Sequence, residues 1–297
     1  MSTSINHADP AVVVPQLQRP LKQLPSEPVI NIKPPQVWEK IDFRQLWSER
    51  EVLYFLMWRD LKVRYKQTIL GAGWVILQPV LMTIVFGIFL GRLIKVPSDG
   101  VPYPVFAYTG LLLWTFVSNA VLSSCYSLVI NAHLITRIYF SRVLIPTSTI
   151  GVRLIDLTIA FAVLVLMMVY YRVPISWGLL LLPAFVIHAA MLALAVGLFG
   201  AALNVRYRDV GTLAPILLQV WMFASPLVYS SSIVPAHLRL WYSFNPLVGL
   251  VDGLRAALLN LPIPWMSVML SGVVTWPLLV IAIHVFRRME RSFADEI

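Results

Sequence analysis

From Gly73 onward, apolar runs of about twenty or more residues recur along the chain, separated by short polar breaks. One helix crossing the roughly 30 Å hydrocarbon layer of a bilayer needs about 20 mainly apolar residues. The runs therefore predict an all-α polytopic membrane protein with six transmembrane helices, at Gly73–Leu93, Tyr103–Ile130, Ile145–Tyr171, Trp177–Leu203, Gly211–Tyr229 and Ile263–Phe286. Pro79, Pro183, Pro215 and Pro277 fall in or near these spans, and neighbouring helices can re-satisfy the carbonyls that a proline frees. Only 12% of the residues are charged, against about 25% in soluble domains, so little of the chain is left for a soluble domain.

The formal net charge of +9 would fit a nucleic-acid partner if the basic residues shared one folded face. They are sorted by topology instead. Ten Lys/Arg precede the first span, and Arg137, Arg142, Arg206, Arg208, Arg287, Arg288 and Arg291 fall on the same side; Arg92, Lys95, Arg172, Arg239 and Arg255 fall on the other. Cytoplasmic segments carry the excess, so both termini are expected in the cytoplasm, with lipids and not nucleic acid as surroundings.

Residues 1–41 hold Pro10, Pro15, Pro20, Pro25, Pro28, Pro34 and Pro35, which predicts a disordered cytoplasmic tail. It lacks the basic start and apolar core of a signal peptide. Over 42–66, Phe43, Leu46, Trp47, Tyr54, Met57, Trp58, Leu61 and Tyr65 recur at helical steps, and Arg59, Lys62, Arg64 and Lys66 crowd the end. That segment is too charged to span and reads as an amphipathic interface helix; residues 67–297 form the transmembrane domain.

Two cytoplasmic connections carry partner-facing candidates. The stretch Asn131–Pro146 either forms a short helix, with Leu134, Ile138 and Phe140 turned to the protein and His133, Arg137 and Arg142 outward, or is a solvated turn. In Asn204–Val210, Asp209 is placed to cap the following helix while Arg206 and Arg208 face phosphates or a partner. On the outer side, Pro235, Pro246 and Pro262 cut an apolar stretch into pieces too short to span. This predicts a re-entrant helical hairpin: one helix over His237–Phe244 that includes Trp241, and a second with Asn245 as N-cap and Pro246 at its first position. Asp252 and Arg255 then stand one turn apart and can pair.

Inside the spans the ionisable groups are Arg153, Asp156, His188 and His284; such groups are candidates for function, although Arg153 and Asp156 are also spaced to neutralise each other as a structural pair. No catalytic constellation and no metal-ligand spacing is present, and the single cysteine, Cys125, has no partner thiol. The GxxxxGK[ST] phosphate loop is absent, so the chain is not expected to be an enzyme, and any ATP drive must come from elsewhere. Phe86, Phe89, Trp114, Phe116, Trp221, Phe223 and Tyr229 lie in or beside the spans; they are either interface anchors or faces on which sugar rings slide. Gly87 and Gly91 form a GxxxG, a common and weak packing motif.

Taken in order, REVLYFLMWRDLKVRYKQTILGAGWVILQP (Arg50–Pro79), NAHLITRIYFSR (Asn131–Arg142), NVRYRDV (Asn204–Val210), WMFASPLVYSSSIVP (Trp221–Pro235) and NPLVGLVDGLRAALL (Asn245–Leu259) resemble the ABC-2 type permeases of O-antigen, capsule and teichoic acid export. The resemblance implies a homodimer of six-span subunits with two copies of a nucleotide-binding subunit, exporting an undecaprenyl-linked glycan. This chain would carry no cofactor, with ATP and Mg on the partner subunit. It further implies that Arg59, Lys62, Arg64, Lys66 and Trp74 mark the lipid access site. By the same likeness, His133, Leu134, Arg137, Arg142, Arg206, Arg208 and Asp209 couple to the ATPase, and Trp241, Asn245, Pro246, Asp252 and Arg255 belong to the outer gate. The competing expectations are a small-molecule or lipid exporter of the same class and a membrane-embedded glycan-modifying enzyme, which would need polar catalytic groups that are scarce here.

Overall fold

A computed structural model describes residues 48–66, 71, 73–137, 140–174 and 176–293. The expected tail over 1–41, the first part of the amphipathic segment and Ile138 lie outside them. The described residues are helical, in the order α1 (Arg50–Lys66), α2 (Gly73–Phe86, continuing as π-helical turns over Gly87–Leu93), α3 (Tyr103–Ile130), α4 (Ala132–Arg137), α5 (Leu144–Tyr170), α6 (Leu182–Arg206, after a 3-10 turn at Trp177–Leu181), α7 (Asp209–Phe223), α8 (Ala236–Ser243), α9 (Pro246–Leu259) and α10 (Trp265–Glu290).

Among the described residues, five helices are long and apolar enough to cross a membrane: α2 with its π-helical end, α3, α5, α6 with its 3-10 turn, and α10. Their ends fall within a few residues of the sequence reading. The fifth expected span, Gly211–Tyr229, is the exception. Its helix α7 has 15 residues, about 22 Å at 1.5 Å per residue, and it stops at Phe223. Residues Ala224–Tyr229 form irregular turns that lead into the hairpin.

Helix α3 is the hub. It starts on Pro102 as N-cap with a proline in its first turn, where a missing N–H costs nothing. It is buried along most of its length and packs against α2, α5, α6 and α7. The Tyr108 hydroxyl donates to the Ala160 carbonyl of α5 at 2.9 Å. Against α6 the contact is made by small residues: a Cβ on Gly197 would stand 2.6 Å from Ser124 Oγ, and Ala193, Ala201 and Ala202 of α6 are fully buried. Small residues let apolar helices approach closely in a solvent that gives no hydrophobic drive between them. Gly91 of the GxxxG is filled from within the chain, by the Tyr103 ring, whereas a Cβ at Gly87 would meet nothing.

Apolar side chains elsewhere point outward. Leu81, Ile84 and Phe89 of α2, Ile216, Leu217 and Val220 of α7, and Val273, Trp276 and Ile281 of α10 are all exposed, as suits lipid contact or a second subunit. Helix α1 lies along the first half of α5. Its buried anchor is Leu56, with Val52 and Leu53 packed beside it. Tyr54 and Trp58 of the apolar stripe are exposed, since the helix turns Leu56 toward the bundle.

Candidate functional site

The C-terminal turn of α1 meets α5 through charge. Arg64 lies 3.0 Å from the Asp156 carboxylate, and Arg153, one turn earlier on α5, lies 3.3 Å from the same oxygen. The other carboxylate oxygen accepts from the Tyr65 hydroxyl. Burial, and then the hydrogen bond to Asp156, push the Tyr65 phenol up to about 12, so it stays a donor. Arg153 also donates to Ser123 Oγ of α3, at 3.0 Å from Nε. Next to this cluster opens a cleft of about 520 Å³ between α1, α2, α3 and α5. Trp74, Gln78, Thr115, Phe116 and Asn119 give it aromatic faces and polar groups, and Leu81 and Met82 continue it onto the outer face of α2.

At the opposite end of α3, the hairpin forms much as its capping residues dictate. Asn245 accepts from the Leu247 N–H at 3.1 Å, and Pro246 opens α9. Helix α8 runs over Ala236–Ser243, one residue earlier than expected. Nearly all of α9 is buried, against α10, α6 and α3, which is how a short helix at membrane depth must sit. Asp252 and Arg255 do approach, at 3.9 Å, yet the guanidinium's main partners are backbone carbonyls. It donates to Pro226 and Leu227 in the unwound stretch after α7 and to Phe106 of α3, and it stacks 3.7 Å from the Phe106 ring centroid. Asn245 braces the same stretch, donating to the Ala224 carbonyl at 3.1 Å and accepting from Trp221 Nε1 at 2.9 Å.

A sequence profile described as ABC-2 type transporter matches residues 51–259, which takes in α1, the cleft and both hairpin helices. The chain belongs to this family. It is 29% identical over 259 residues to the O-antigen export system permease protein RfbA of Myxococcus xanthus, an alignment covering 86% of this chain and 98% of that one. A protein of the same name from Klebsiella pneumoniae is 24% identical, over 82% and 94% of the two chains. The polysialic acid transport protein KpsM of Escherichia coli is 24% identical, over 69% and 80%.

Within this ABC-2 transporter chain, the residues read as the access site divide. Arg64 and Trp74 reach the cleft. Arg59 instead ties α1 to the end of α3, bonded to Asp60 and to Asn131 Oδ1, each at 2.7 Å. Lys62 lies over the Trp58 ring and Lys66 is exposed. The sequence reading gives Gln78 and Asn119 no role, places Tyr65 only in the helical stripe, and leaves Arg153 and Asp156 between a structural pair and a functional one. For Arg153 and Asp156 the signal was their charge inside a span; Gln78 and Asn119 gave none.

Among the residues read as coupling groups, His133, Arg137, Arg206 and Arg208 are exposed at the ends of α4, α6 and α7. Leu134 and Phe140 are half-buried, while the helix sinks Ile135 deepest. Arg142 is turned inward, its guanidinium donating to the Glu290 carbonyl at the end of α10. Asp209 makes no side-chain cap; it is the first residue of α7, where its charge suits the helix dipole. The cap comes from Asn204, whose Oδ1 accepts from the Gly211 N–H at 2.9 Å while its Nδ2 donates to the Cys125 carbonyl at 3.1 Å. Asn204→Ala is expected to cost about 1–2 kcal/mol, read as a lower thermal midpoint of the purified protein, with Asp209→Ala costing less.

The aromatics read either as interface anchors or as a sugar track differ in exposure. Trp114 is buried and meets Trp221 edge-on, with ring centroids 6.2 Å apart. Phe116 lines the cleft, Phe89 and Phe223 are exposed, and Phe86 is half-buried. Tyr229 bonds the Tyr242 hydroxyl at 2.9 Å. Trp241, read as a gate residue, is exposed on α8.

Proposed function

We propose that this chain is the permease subunit of an exporter that carries a lipid-linked polysaccharide of the O-antigen class across the bacterial inner membrane. The observation that carries the reading is the match, over most of both chains, to relatives named as O-antigen export permeases, on a chain of long apolar helices in the ABC-2 family. The transported material is glycan on an undecaprenyl carrier. Energy comes from a separate nucleotide-binding subunit that holds ATP and Mg, since the sequence has no phosphate loop of its own. Two copies of the chain join two copies of that ATPase, with both termini cytoplasmic, as the Lys/Arg bias favours. The exposed ends of α4, α6 and α7 supply the ATPase contacts.

The test is deletion of the gene. Lipid-linked glycan is expected to accumulate on the cytoplasmic side while surface polysaccharide disappears, both restored by the gene on a plasmid. Normal surface polymer in the deletion strain overturns the proposal. Normal polymer with loss of export of a small amphiphile points instead to a small-molecule exporter.

A further inference from the structure

Helix α4 has six residues, and a helix that short has little stability of its own. Its pose is therefore inherited from whatever holds the chain on either side. Before it, Arg59 grips Asn131. After it, the chain enters α5 with no local cap: Val143, in the cap position, offers no side-chain acceptor, and the first N–H groups need partners from elsewhere. Two carboxylates from distant parts of the chain supply them. Glu49, just before α1, accepts from the Ser141 N–H at 3.0 Å. Glu290, at the end of α10, accepts from the Arg142 N–H at 3.2 Å, and the Arg142 guanidinium donates in return to the Glu290 carbonyl. Residues 142 and 290 are thus joined twice, each through its main chain and its side chain.

The turn after α10 completes the arrangement. The Ser292 N–H and hydroxyl both donate to the Met289 carbonyl, at 3.0 Å, which folds the chain back and brings Phe293 edge-on to Phe286, with ring centroids 5.4 Å apart. Both rings are fully buried, in the apolar cluster that also takes Ile135 of α4 and Leu56 of α1. We propose that Arg142, Glu290 and Phe293 form a latch that positions α4 for the ATPase, so that the end of α10 sets the height at which α4 meets its partner. The inference rests on the export function above and adds to it a part for the turn after α10, which the family resemblance leaves without one. A serine or aspartate at the cap position would have satisfied the start of α5 locally. A cap drawn from α10 does more, because it makes the segment after α4 move with the last helix. His133 and Arg137 remain exposed on α4, whereas the three latch residues act through the pose they give it and are positioning residues.

The test uses the full chain with its ATPase partner in nanodiscs, with hydrogen exchange of the α4 amides read beside export per ATP hydrolysed in cells and membranes. Glu290→Ala leaves the Arg142 N–H without its acceptor, and Phe293→Ala empties part of the cluster; in each, exchange over α4 is expected to rise at least about tenfold, while exchange over α3 keeps its wild-type rate. Export per ATP should fall in both variants. Phe293→Leu, which refills the cluster, should restore both readouts. A contact that merely stabilises the fold lowers the thermal midpoint but leaves α4 exchange and export per ATP at wild-type values in the folded protein, and that result overturns the proposal. A uniform rise in exchange along the chain overturns it too, as does a loosened α4 with unchanged export per ATP. Should Phe293→Ala not fold, Glu290→Ala decides alone. Wild-type behaviour of these variants in a system whose deletion strain does accumulate glycan removes the latch and leaves the export function standing. Normal surface polymer in the deletion strain removes the export function, and the exchange readout still decides whether the turn holds α4.

Discussion

Arg255→Met is expected to lower stability by about 3 kcal/mol or more, the largest effect of any single change outside the cleft. The guanidinium is 2% exposed and satisfies the carbonyls of Phe106, Pro226 and Leu227. Each buried acceptor left without a donor costs about 1–3 kcal/mol, and water cannot reach these to compensate. Asp252 would also lose the cation beside it. Thermal unfolding of the purified chain in detergent measures the loss, and Arg255→Lys should fall between, since one ammonium cannot match a fork set over three carbonyls. A wild-type midpoint for the methionine variant would show that the carbonyls find other donors.

Gly249→Ala is expected to destabilise by about 1–3 kcal/mol, the range for forced overpacking, although glycine inside a helix normally gives up about 0.5–1 kcal/mol relative to alanine. The reversal is steric. A Cβ there would stand 2.0 Å from the Ser267 carbonyl oxygen, the backbone of α10, and backbone cannot rotate away as a side chain can. Gly272, on α10, has nothing within 4 Å of a built Cβ, so Gly272→Ala should be neutral or stabilising. The pair shares one substitution chemistry, and opposite signs in their thermal midpoints would isolate the α9–α10 contact. Equal shifts would remove it as the cause.

Both changes act at features that differ in how far they could be read from sequence. The start of α9 was legible because capping is local: Asn245 and Pro246 act on the turn they begin. Long spans were legible because hydropathy and length suffice. The end of α7 was not, since residues 224–229 stay apolar after the helix stops, and what permits the break is Arg255, which approaches from a later helix. The capping role passed from Asp209 to Asn204 for a similar reason, as Asn204 must also reach Cys125 on α3. The cleft shows the same limit. Arg153 and Asp156 announce themselves by charge within a span, but that Arg64 joins them depends on how α1 lies against α5. Nor did spacing separate the aromatics, of which Trp114 and Phe116 are buried within the subunit while Phe89 and Phe223 are exposed.

Helix α3 runs unbroken for 28 residues, about 42 Å. At one end Asn131 grips Arg59, and Tyr126 donates to the Gly211 carbonyl at the start of α7. At the other, Phe106 lies under Arg255, and Gly110 leaves room for nothing larger beside the Leu227 carbonyl. No proline interrupts its interior, so the helix has no joint in which to absorb a displacement. A rod of this kind ties the contacts at Asn131 to those beneath the hairpin, so a displacement delivered at one end is expected to be felt at the other within a single subunit.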